Sequence, residues 1–147
     1  MASSSAAIRA AAHAAAGLDL SALHARLDKY VTNDVTSWQF DGMEPPCGDA
    51  AAAIIAAALE SSGCVTTLFL NDNEVGNLGA AALAKALETN KSCTRVFLAH
   101  NAIDDHGAQA FASGLECNTT LQVLSLSSNR IGDVGCAALC RSLGLTA

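Results

Sequence analysis

The sequence predicts an α/β solenoid, with parallel strands along a concave face and helices along a convex one. Three observations predict it. Asn73, Asn101 and Asn129 stand 28 residues apart (101 − 73 and 129 − 101), and each closes a nine-residue phrase with apolar groups at its first, fourth and sixth positions: Val65/Leu68/Leu70, Cys93/Val96/Leu98 and Leu121/Leu124/Leu126. Behind each Asn the echo continues through Val75/Ile103/Ile131, Gly79/Gly107/Gly135, Leu83/Phe111/Leu139 and Leu87/Leu115/Leu143. Helix-starting residue types recur at the same period, at Ser21, Asp49, Asn77, Asp105 and Asp133. A unit of this length cannot cover its own apolar face, so it stacks on neighbours.

Within each phrase, the single-residue gap between the fourth and sixth positions puts both apolar groups on one face of a short strand. The link that follows is rich in turn residues, and Ala and Leu then recur at spacings of three and four, the stripe of a helix. Where the strand bends away into the link, its backbone groups lose ladder partners. A carboxamide both donates and accepts, so Asn73, Asn101 and Asn129 are expected to form an internal structural ladder.

Taken in order, residues 1–20 are Ala- and Ser-rich, with Arg9 and His13 and no acid before Asp19. They read as a flexible N-terminal segment, with an organelle transit peptide as the alternative. Residues 21–64 read as a cap helix followed by a degenerate first repeat. Leu23, Leu27, Tyr30 and Val31 form the helix stripe behind Ser21 as N-cap. Val35, Trp38 and Phe40 fit the strand template, with Met43 in the Asn column. Two extra residues fall between Phe40 and Asp49, around Pro45 and Pro46, in a link that tolerates missing amide protons. Trp38 and Phe40 are expected to face inward as the core of the stack's end. Residues 65–147 hold three repeats of period 28. The strand at Leu124 to Leu126 is expected to be a bare sheet edge, as in a fragment of a longer array or a surface for self-association.

The pattern L-x-x-L-x-L-x-x-N followed by a G-x-x-A-L-x-x-x-L helix resembles the ribonuclease-inhibitor-type leucine-rich repeat, over Val65 to Leu143. Similar repeats occur in NOD-like receptors, Ran GTPase-activating proteins and tropomodulin-like proteins. The resemblance implies a right-handed solenoid that binds other proteins on its concave strand face. It leaves open whether the chain is an interaction module, a small-GTPase regulator like the Ran GTPase-activating proteins, or part of a NOD-like receptor array.

Residues flanking the inward leucines point out of the sheet in rows: Ser37, Thr67, Arg95, Val123; then Gln39, Phe69, Phe97, Ser125; then Asp41, Asn71, Ala99, Ser127. Phe69 and Phe97 with Arg95 beside them have the character of interface anchors, and Asn71, Ser125 and Ser127 complete the expected partner-binding face. The alternative is a cross-strand pair that only stabilises the sheet. Asp72, His100 and Ser128 share one column, yet no nucleophile turn or oxyanion donor accompanies them, so no catalytic residue is assigned.

Composition narrows the classes. Net charge is −6 over 147 residues, which argues against nucleic acid as a partner. No run reaches the roughly 18 apolar residues of a membrane span. Six cysteines lack zinc-site spacing; Cys93 sits in an apolar strand column, and Cys136 and Cys140 sit in helix columns otherwise held by Ala80/Ala108 and Ala84/Ala112. The sequence therefore predicts a reduced, cytoplasmic protein with no metal and no cofactor, whose partner is another protein.

Overall fold

The computed structural model describes residues 20–32 and 35–145; most of the N-terminal Ala/Ser-rich segment lies outside them. Helix α1 (Ser21–Thr32) is followed by four strand–helix units. These are β1 (Ser37–Gln39) with α2 (Gly48–Ser61), β2 (Thr67–Phe69) with α3 (Asn77–Thr89), β3 (Arg95–Phe97) with α4 (Asp105–Cys117), and β4 (Val123–Ser125) with α5 (Asp133–Ser142). The strands form one parallel sheet in the order β1-β2-β3-β4, which aligns Trp38, Leu68, Val96 and Leu124. Parallel strands lie about 4.8 Å apart, whereas packed helices need about 8–10 Å between axes. The strand side is therefore the shorter arc, and the sheet is concave.

Trp38, Phe40, Leu68, Leu70, Val96 and Leu98 are fully buried between the sheet and the helices, together with Ile54, Leu59, Leu83 and Phe111. Tyr30 of α1 stacks on Trp38, with centroids 6.2 Å apart, and meets Phe40 edge-on at 5.4 Å. Leu23 and Leu27 of the same helix are buried. The Tyr30 hydroxyl donates to the Gln39 carbonyl (3.1 Å) and accepts from the Gln39 N–H (3.3 Å), while Arg26 Nη1 donates to the same carbonyl (3.2 Å). Helix α1 thus occupies the outer edge of β1, which would otherwise offer its backbone to another chain.

Two side-chain ladders of opposite polarity tie the units together. One reaches backward. Asn101 Oδ1 accepts from the amides of Asn73 and Val75, and its Nδ2 donates to Leu70 O; Asn129 Oδ1 accepts from Ile103 N, and its Nδ2 donates to Leu98 O. Because this bond runs to the preceding unit, the first repeat has nothing to reach for, and the apolar Met43 fits its Asn position. The other ladder reaches forward. Asp49 Oδ1 accepts from the amides of Gly76 (2.7 Å) and Gly79 (2.8 Å), Asn77 Oδ1 from Asp104 and Gly107, and Asp105 Oδ1 from Gly132 and Gly135.

This second ladder corrects the expectation that Asp49, Asn77, Asp105 and Asp133 cap their own helices. The N-cap positions belong to Cys47, Gly76, Asp104 and Gly132, and of these Asp104 alone caps through its side chain, accepting from His106 N at 2.8 Å. Lying inside the first turn, Asp49, Asn77 and Asp105 instead hold the start of the next helix, where the free amides and the positive end of the helix dipole favour a carboxylate. The ladder also explains the glycine column. A Cβ on Gly107 would lie 2.6 Å from Ile103 Cγ2 and 2.8 Å from Asn77 Oδ1.

A further ladder escaped the sequence reading. Asn90 Nδ2 donates to Leu59 O (2.7 Å) and its Oδ1 accepts from Cys93 N (2.8 Å); Asn118 likewise donates to Leu87 O and accepts from Leu121 N. Both are buried, and they sit where each helix turns back into a strand. Their 28-residue spacing (118 − 90) was visible in the sequence.

Candidate protein-binding face

The register places Ser37, Thr67, Arg95 and Val123 in one row of the concave face and Gln39, Phe69, Phe97 and Ser125 in the next. Phe69 and Phe97 stack nearly parallel, with ring centroids 4.8 Å apart and planes 8° from coplanar. Both remain half-buried on the strand face. Cross-strand neighbours one ladder step apart bring the rings into offset contact, which fixes them before any partner arrives.

Arg95 is exposed, and its Nε donates to Thr67 Oγ1 at 3.1 Å, so the guanidinium lies across the sheet beside the rings. Thr67 is thereby 3% exposed, enclosed although its row faces solvent. In the third row, Asp41 Oδ1 accepts from Asn71 N (2.7 Å) and Asn71 Oδ1 accepts from Ala99 N (2.8 Å). Asn71 therefore supports the backbone where the strands end, and the half-buried face it offers a partner is smaller than its row position suggests. Ser125 is half-buried and Ser127 exposed at the outer end of their rows. Val123 is 40% exposed and extends the apolar surface toward β4.

The ladder residues lie behind this face. Asn73 is fully buried, whereas Asn101 and Asn129 are half-buried. Asp72, His100 and Ser128 fall in equivalent turns with φ of 57°, 55° and 54°, the left-handed region that Gly42 occupies (53°) in the first unit. Short polar residues tolerate that conformation better than most. Their shared column is thus a turn position, and all three side chains are exposed.

Among the described residues no group of three or more His, Cys, Asp or Glu side chains is placed to hold a metal, and no helix is long and apolar enough to cross a membrane. The six cysteines are free. Burial pushes the Cys47 thiol up to about 12 and the Cys93 thiol up to about 11, so both stay protonated and behave as small apolar groups. Cys136 differs from the sequence expectation. Its counterparts Ala80 and Ala108 are fully buried, yet Cys136 is exposed because no further helix packs on α5 among the described residues.

Three segments of the chain, residues 62–84, 94–112 and 117–140, match the family model described as Leucine Rich repeat. No curated protein matches the chain. Among solved structures the chain is similar to leiomodin-1 actin-binding site 2, with a TM-score of 0.72 and 22% sequence identity over 87% of this chain and 74% of that one. At that identity the likeness shows a shared fold.

Proposed function

We propose that this chain, which carries leucine-rich repeats, is a non-enzymatic protein-interaction module, a scaffold or recognition unit that holds a protein partner on its concave strand face. The observation that carries this reading is the Phe69–Phe97 stack, half-exposed beside Arg95. Aromatic and arginine side chains dominate the energetics of protein interfaces, and a pair already held rigid loses little freedom on binding. Asn71, Ser125 and Ser127 supply a polar rim around it. The unpaired thiols fit a reducing, cytoplasmic setting.

The test is affinity capture from native lysate with the wild-type chain and the Phe69→Ala, Phe97→Ala double variant side by side. Actin serves as the first purified probe, because the leiomodin-1 neighbour is named for an actin-binding site. The double variant is expected to lose the partner while its thermal unfolding stays within a few degrees of wild type. A double variant that still captures every partner overturns the proposal. Faster GTP hydrolysis by Ran in the presence of the chain would replace it with the GTPase-regulator reading.

A further inference from the structure

Phe69, Phe97 and Arg95 lie on β2 and β3, each of which is paired with a strand on both edges. A further repeat adds to an edge of the sheet and leaves this concave side uncovered. The strand backbone is already committed to its ladder, so an occupant docks through side chains alone. An extended segment laid against the rings would bury N–H and C=O groups without partners, whereas a helix satisfies them internally.

Charges on this side are few and separated. Of the residues in the three outward rows, Arg95 is the cation and Asp41 the anion. Arg95 Nε is held by Thr67 Oγ1 at 3.1 Å, and among the described residues its two Nη groups meet no acceptor. They form a fixed fork beside the stacked rings, and a guanidinium fork matches a carboxylate.

At the other end of the strands the sign reverses. Asp41, Glu44, Asp72 and Glu74, all exposed, follow β1 and β2, whereas the equivalent positions after β3 hold Ala99, His100 and Ala102. The aromatic stack lies between the two signs. Thr67, the register partner of Arg95, precedes Phe69 by two residues (69 − 67), and Asp72 follows it by three (72 − 69). At about 3.3 Å per residue, the positive and negative ends stand about 16 Å apart along β2, the length of about three helical turns.

We infer, resting on the strand-face reading above, that the partner element is an amphipathic helix of mixed charge. It sets a carboxylate on Arg95, apolar side chains on Phe69 and Phe97, and a lysine or arginine toward Asp72 and Glu74. In a helix such groups fall at i, i+4, i+7 and i+11, on one face over about three turns. The apolar pair covers the rings and excludes water from the adjoining carboxylate–guanidinium pair, which strengthens it. The cation at the far end meets exposed acids, so it contributes orientation more than affinity. An apolar face alone accepts a helix in either direction; two opposite charges admit one.

The probe is a labelled, alanine- and glutamine-based peptide of fifteen residues, stapled on its opposite face to hold it helical. It carries glutamate at its second position, leucine at the sixth, tryptophan at the ninth and lysine at the thirteenth, and is titrated with the full chain by fluorescence anisotropy. Two companion peptides carry glutamate, or lysine, at both charged positions. The mixed-charge peptide is expected to bind about tenfold more tightly than either companion, each of which sets one like-charge pair against the face. Arg95→Glu is expected to make the all-lysine peptide the tightest of the three. Asp72→Asn with Glu74→Gln is expected to bring the all-glutamate peptide to the affinity of the mixed one. The Phe69→Ala, Phe97→Ala variant is expected to lose all three. Equal affinities for the three peptides that vanish in the Phe variant overturn the charge assignment and leave the strand-face reading standing. Binding that persists in the Phe variant overturns both. Absence of binding by the mixed-charge peptide overturns the inference alone. So does a concentration-dependent dimer that the Phe variant abolishes, which gives the face to a second copy.

Discussion

Replacing Asn73 by Ala removes the most enclosed carboxamide of the strand-end ladder. Its Oδ1 accepts from the amides of Met43 and Cys47, each at 3.2 Å, and its Nδ2 donates to the carbonyls of Phe40 (2.7 Å) and Asn71 (2.8 Å). The residue is 0% exposed, so water cannot replace it without opening the core. At a net value of about 1 kcal/mol per bond, the loss amounts to about 4 kcal/mol, with orphaned backbone groups setting the cost rather than the Asn itself. Domains of this size are stable by only about 5–15 kcal/mol, so the effect is large. Asn129 makes the same kind of bonds in the outermost unit, where it is half-buried and water can substitute. Asn129→Ala should therefore cost about 1–2 kcal/mol. Urea unfolding followed by circular dichroism at 222 nm, with both variants fitted for midpoint and slope, measures the difference. Equal losses at the two positions, or a loss below about 1 kcal/mol at Asn73, would refute the assignment of the ladder as a burial-dependent backbone clamp.

Further outcomes follow from the same contacts. Gly107→Ala should destabilise the chain by about 1–3 kcal/mol, since a Cβ there overlaps Ile103 and the Asn77 clamp, whereas Gly63→Ala, with open space around it, should change the urea midpoint little. With a thiol-reactive disulfide at pH 8, Cys117 and Cys136 should react at once, and Cys47 and Cys93 only on unfolding, because burial holds their thiols protonated. The Asn77 carboxamide and then the His106 backbone N–H hold the Asp104 carboxyl below its ordinary value of 3.8. Its contribution to α4 is thus fully present above that value and is lost as pH falls through the lower folded value. Asp104→Asn should flatten this acid limb, read as amide exchange at His106 between pH 5 and pH 2.

The periodic part of the fold was legible because the stacking rule is local. A residue's column fixes whether it faces the core, and Leu68, Val96 and Leu124 fall in register as their spacing requires. The rows of the strand face could be written down for the same reason. What the spacing could not supply was the direction of polar side chains. Asp49, Asn77 and Asp105 have the composition of N-caps at plausible helix starts, yet each faces the neighbouring unit. Choosing between the two requires knowing that a second set of free amides lies within reach. Asn71 was legible as a face residue, but its engagement with Ala99 N was not, since that bond crosses 28 residues of sequence.

By itself, then, the sequence determined the repeat, its period, the inward and outward columns, and the aromatic pair on the outward side. These follow from side-chain periodicity, which a strand or helix imposes on any chain. Only the tertiary structure decided the polarity of the stack. The carboxamide ladder points toward the N-terminal side, where Met43 closes it and α1 covers the sheet edge. The clamp of Asp49, Asn77 and Asp105 points the other way, toward the helix start of the following unit. That asymmetry arises from hydrogen bonds between units, each strand end and helix start being completed by a neighbour and not by its own residues.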